Sequence, residues 1–216
     1  MIERGQHTLI FSDASGHPDM AAFEFAMSVA ADAPLFGNGP MLDLAGNVAW
    51  QSLTDDDAEL FLLRVNQWRR HRDTKIVHRV TTFVEDRGSP SINDPFSKLK
   101  PVLIVTDFSQ VSVPYEASSY DERRTWLERG RALATDLDCA VVTVLRCQNT
   151  FSDKQDPTHG AAEFTDSVWR LDENDSRLHN SPMTFSLVQE RSAANHLYFF
   201  PTVSKVRHPL VENVYD

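Results

Sequence analysis

A phosphate-binding loop of the form G-x-x-x-x-G-K-[ST] works because its glycines let backbone N–H groups close on phosphate oxygens. Its lysine neutralises those oxygens and its hydroxyl holds magnesium. The stretch from Thr8 to Met20 has the frame for such a loop but not the contents. An apolar run, Leu9 to Phe11, enters a turn of small and polar residues, and a helix-like run from Pro18 to Ala31 leaves it. In the register set by the strand, Ser12, His17, Pro18 and Asp19 take the four motif positions. Sliding by one puts Gly16, after Ser15, in the second glycine position, and then His17 replaces the lysine and Pro18 the hydroxyl. Neither register supplies a lysine. Asp13 and Asp19 add negative charge beside a polyphosphate, and Pro18 removes an N–H donor that a helix N-terminus offers an anion. An unperturbed imidazole is largely neutral at pH 7, so His17 is a poor substitute for lysine. Ser15, Gly16, His17 and Asp19 therefore make a doubtful nucleotide-binding set. Pro18 and Asp19 suit the first turn of a helix.

The elements that would position these residues alternate along the chain. A strand is predicted within Gly46–Leu53, followed by a turn or cap at Thr54-Asp55. From Asp56, Leu60, Leu63, Val65 and Trp68 recur roughly at helical spacing and lead into the basic cluster Arg69 to Arg72. Lys75–Val84 reads as a strand, Arg87–Pro95 as a loop, and Val102–Thr106 as a fully buried strand ending at Asp107. Tyr120–Leu137 is a helix with a charged face, and its crossover makes the next apolar strand, Ala140–Leu145, parallel to the previous one. Ser167–Leu171, Thr184–Gln189 and Leu197–Phe200 read as shorter strands joined by polar turns. The expectation is one α/β domain over residues 1–216, a mostly parallel central sheet with an antiparallel C-terminal edge.

Composition narrows the function classes. With 216 residues, 41% of them hydrophobic, the chain can build one core. It has no apolar run of about 18 residues and no basic-then-apolar leader, so a cytoplasmic protein without a membrane partner is expected. A net charge of −10 opposes broad wrapping of nucleic acid. Basic patches remain at Arg69–Arg72 and Arg123–Arg131. Cys139 and Cys147 fall in and just after an apolar run and suit a reduced core, so no metal site is expected.

Several segments together resemble the RecA-like ATPase core, in the branch of hexameric replicative helicases of plasmids and bacteria. Gly46 to Glu59 is similar to that family's second strand and the acidic segment after it. Leu103 to Gln110 looks like the Walker B strand with its aspartate-aromatic-x-glutamine run. Tyr120–Leu137 followed by Cys139–Leu145 matches the helix and strand leading to a polar sensor, Gly160–Leu171 the segment after a DNA-facing loop, and Val188–Arg191 a late strand carrying a basic finger. The resemblance implies a three-layer RecA-like fold. It makes Asp107, Asp55 and Gln110 vestiges of the catalytic apparatus, Arg191 an intersubunit finger, and Lys154 and His159 DNA-loop candidates.

The departures fall on the catalytic positions. The P-loop lysine and hydroxyl are missing, Thr54 stands where a water-orienting glutamate is expected, and Leu145 and Arg146 replace the sensor. Phosphoryl transfer depends on such positioning and electrostatics. The sequence thus points to a pseudo-ATPase without a cofactor, ATP and magnesium being disfavoured. Its partners would be itself, a related ATPase subunit or single-stranded DNA, in a setting of replication, repair or recombination. Two alternatives are an atypical ATPase or helicase using Asp107 and Asp55, and an RNase H-type metal-dependent nuclease suggested by Ile10 to Ser15. The latter fold needs a hairpin partner directly after this motif, where Phe23, Ala26, Met27 and Ala30 instead recur at helical spacing.

Overall fold

The computed structural model describes residues 2–12, 17–35, 41–52, 54–72, 79–84, 96, 98–109, 120–146, 164–174 and 184–192, the side chains of 71–72, 120–123, 172–174 and 184–192 excepted. Among these residues seven strands form one sheet: β1 His7–Ser12, β2 Val48–Ser52, β3 Val80–Val84, β4 Leu103–Asp107, β5 Ala140–Arg146, β6 Ser167–Asn174 and β7 Thr184–Ser192. Their order across the sheet is β3-β2-β4-β5-β1-β6-β7. All neighbours are parallel up to β6, and β7 runs antiparallel to it. The segment expected at Leu197–Phe200 and the loop at Arg87–Pro95 lie outside the described residues.

Strands β4 and β5 are runs of β-branched and aliphatic residues because both faces of a parallel sheet are covered. On one face lie helix α1, Pro18–Ala31, and helix α2, Asp55–Arg72. Their side chains pack with Ile10, Val48, Trp50, Val105 and Val142. Phe61 of α2 stacks on Trp50 at 4.3 Å and meets Phe23 of α1 edge-on at 5.6 Å. The other face holds helix α3, Tyr120–Leu137, with Leu133, Ala134 and Leu127 against Ile104, Val141, Leu9 and Phe11. Three layers result.

Helix α1 is buried over twelve of its fourteen residues, the pattern of a core helix with no solvent face. It ends at Asp32, which takes the left-handed conformation (φ 52°) that closes the last turn. Helix α2 starts at Thr54, whose hydroxyl oxygen accepts the Asp57 N–H at 3.2 Å and whose hydroxyl lies 2.8 Å from the Asp57 carboxylate. Its core-facing residues are Ala58, Phe61, Val65 and Trp68. The expected stripe is corrected at two places: Leu60 and Leu63 face outward, because the buried arc is centred on Phe61 and Val65. The RNase H-type reading is corrected too. Directly after β1 comes α1, and β1 is flanked by the parallel strands β5 and β6 rather than by a hairpin partner.

His7 opens β1 and is fully buried. Its Nδ1 lies 2.9 Å from the Phe164 carbonyl, which can only accept, so Nδ1 carries the proton. Nε2, 2.8 Å from the Thr143 hydroxyl, then accepts from it in the neutral ring. Burial pushes the His7 pKa down to about 4, a cost that the Phe164 hydrogen bond and the charge of Asp166 only partly offset. Gly130 of α3 lies over the ring, where a Cβ would come within 2.6 Å of it. Gly130→Ala is therefore expected to lower unfolding free energy by roughly 1–3 kcal/mol, read as a lower urea midpoint at unchanged slope.

Candidate functional site

The carboxyl ends of β1, β2, β4 and β5 lie along one edge of the sheet, where parallel α/β folds carry their ligands. Ser12 ends β1 and is in register with Arg146 at the end of β5. Ser52 ends β2 with its hydroxyl buried and without a hydrogen-bond partner among the described residues. Asp107 ends β4 and is partly buried; the Ser109 N–H donates to its Oδ1 at 2.9 Å. Beneath them the Thr106 hydroxyl and Gln51 Oε1 make a long 3.5 Å contact between β4 and β2.

The first turn of α1 brings Asp19 to this edge. Because α1 is a core helix, the carboxylate is buried, and an isolated buried carboxylate is costly. Arg64, near the middle of α2, donates from Nη1 to Asp19 Oδ2 at 2.8 Å, with the arginine side chain 21% exposed and the aspartate 3%. Asp107 feels both. Its pKa is pushed up to about 7, first by burial and second by the negative charge of Asp19, against lowering by Ser109 and Arg64. Asp19, Arg64 and Asp107 thus form one coupled electrostatic cluster.

Of the other expected site residues, His17 is exposed at the start of α1, and its carbonyl accepts the Met20 N–H while its side chain makes no capping hydrogen bond. Asp55 is exposed in the first turn of α2 and is not among the charges acting on Asp107. Thr54 is the α2 cap. Leu145 is buried in the core, so only Arg146 of the sensor pair stands at the strand ends. Arg191 lies in β7 opposite Val168, its side chain outside the described residues. Asp13, Ser15, Gly16, Gln110, Cys147, Lys154 and His159 also lie outside them. Buried Cys139 is a free thiol with its pKa pushed up to about 12 by burial, an inert core residue.

Arg64 is the residue that the sequence pattern did not single out. Its signal was a cation flanked on the core side by Phe61, Val65 and Trp68, where an arginine needs a buried anion to answer it. The cluster is ill suited to magnesium and a polyphosphate. The Asp19 carboxylate already holds a guanidinium, Pro18 offers no N–H, and Asp107 is drawn toward its protonated form. No group of three or more potential metal-ligating side chains occurs among the described residues. No helix among them is long and apolar enough to cross a membrane.

No protein-family profile and no curated protein sequence matches the chain. Solved structures do. A KaiC-like protein from the hyperthermophilic archaeon Pyrococcus horikoshii OT3 superposes with a TM-score of 0.53 at 9% identity, covering 91% of this chain and 83% of that one. The shared property at that identity is the fold, and it is RecA-like.

Removing Arg64 leaves Asp19 buried and uncompensated. Arg64→Ala is expected to cost roughly 1–3 kcal/mol, and the double variant Asp19→Asn with Arg64→Ala less than the sum of the two, measured by denaturant titration. The pH dependence has a definite sign. His7, lowered from 6.5 to about 4, contributes stability that is present above pH 6.5 and lost as pH falls toward 4. Asp107, raised from 3.8 to about 7, contributes stability that is present below pH 3.8 and lost as pH rises through 7. The two slopes oppose each other in the native chain. Asp107→Asn removes one, so the stability of the variant relative to wild type should climb as pH rises from about 4 to 7. A difference that falls with pH would mean the Asp107 carboxyl is stabilised in its charged form.

Proposed function

We propose that this chain is a non-catalytic RecA-like subunit that acts by binding, a pseudo-ATPase related to the hexameric helicases. The observation that carries it is the Asp19–Arg64 pair at the start of α1. In a working P-loop that helix position carries the hydroxyl for magnesium, and the residue before it the cation for phosphate. Here the two places are held by an aspartate that is already neutralised and by a proline. The only described cation on Asp19 is committed to a carboxylate, which leaves a polyphosphate facing one or two acidic groups. Thr54 supports the same reading, since it caps α2 where the resemblance places a water-orienting carboxylate.

Binding in place of turnover suits a subunit that associates with an active relative or with single-stranded DNA in replication, repair or recombination. The DNA-loop candidates Lys154 and His159 and the finger candidate Arg191 are the residues to test for that role. Isothermal titration with magnesium-ATP is expected to give no binding heat, and radiolabelled ATP no phosphate release above blank. Turnover abolished by Asp107→Asn would replace this reading with an atypical ATPase, because a carboxyl near pH 7 is in the range of a general base.

A further inference from the structure

Helix α2 lies over β2 and the outer strand β3 at one end of the sheet, and its outward side exposes three leucines among charged residues. Leu60, Leu62 and Leu63 are 38%, 44% and 53% exposed there, while the core is served by Ala58, Phe61, Val65 and Trp68 on the opposite side. The charges around the leucines are ordered. Asp55, Asp56 and Glu59 are exposed on the N-terminal half of the helix, and Arg70 is exposed near its C-terminal end. Asp56 lies seven residues before Leu63 and Arg70 seven residues after it, two helical turns each way on one face. None of Asp56, Glu59 and Arg70 makes an ion pair with a described residue.

A surface whose acidic and basic ends are equidistant from an apolar centre is self-complementary under a twofold rotation. We propose that α2 is a homodimer contact: two copies of the chain pack this helix antiparallel, Leu63 against Leu63 on the axis with Leu60 beside it. Asp56 of each copy then faces Arg70 of the other. The charge order selects a second copy running antiparallel, since a parallel pair would set Asp56 against Asp56 and Arg70 against Arg70. The helix offers a strip about 27 Å long and roughly 10 Å wide. That is well below the ~800 Å² per partner of a standard interface, so the dimer is weak and reversible. This is a closed, isologous contact, independent of whether the strand-end site binds a nucleotide.

Sedimentation equilibrium of the full chain across concentrations from ~1 to ~300 μM tests it. The weight-average mass is expected to rise toward twice that of the chain. Leu63→Glu, at an exposed position, should keep the wild-type melting curve and weaken association by about ten-fold or more. Asp56→Arg and Arg70→Asp should each weaken it similarly by setting like charges together, and the double variant, which swaps the pair, should return to within about three-fold of wild type. The proposal is overturned by a chain that stays at monomer mass throughout or by an oligomer indifferent to Leu63→Glu. It is equally overturned by a double variant no tighter than the single ones.

Discussion

The burial of α1 on every side is the constraint from which the rest of the strand-end chemistry follows. A helix with no solvent face must carry its first turn into the protein, and the second residue of that turn is an aspartate. A carboxylate in that place needs a cation within hydrogen-bonding reach, and the neighbouring helix supplies it through Arg64. The ion pair in turn fixes α2 against α1, with Phe61 wedged between Trp50 and Phe23. Packing and electrostatics thus lock the same two helices at the same end. The proposed function rests on that commitment. A cation committed to a buried carboxylate is not available to a phosphate, and a carboxylate answered by a guanidinium is a poor magnesium ligand.

The fold was largely readable from the chain. The crossover strands β4 and β5 announce themselves as short β-branched runs, and α1 and α3 coincide with their expected bounds because Pro18 opens one and Leu137 is followed by a left-handed Asp138 that stops the other. Helix α2 was the harder case. Its leucines dominate the sequence pattern, yet the buried arc is drawn by Ala58, Phe61, Val65 and Trp68. Periodicity reports that a helix has a preferred face, and with apolar residues on both sides it cannot choose which one meets the sheet. The same ambiguity hid Arg64, which reads as one more charge on a charged helix until its partner is known.

The sequence reading of the candidate site rested on departures from a motif. The missing lysine, the missing hydroxyl and Thr54 can be named from the sequence because motif chemistry is local. What occupies the space is not local: Asp19 and Arg64 are 45 residues apart, and Asp107 joins them from a third element. His7 gives no signal in the sequence for a related reason. Nothing in its neighbours along the chain says that the ring will be capped by Gly130 and wired to Thr143 and Phe164 from three other segments.

Helix α2 therefore has two jobs divided by its own circumference. Inward, Arg64 reaches across to the start of α1; outward, one residue earlier, Leu63 points away from the fold. The 100° step between successive helical residues is what lets adjacent positions serve a buried ion pair and an exposed apolar strip. A partner seated on that strip would rest on the helix whose other side carries Arg64 to Asp19. For the binding role proposed above, such a helix offers a surface separate from the strand ends.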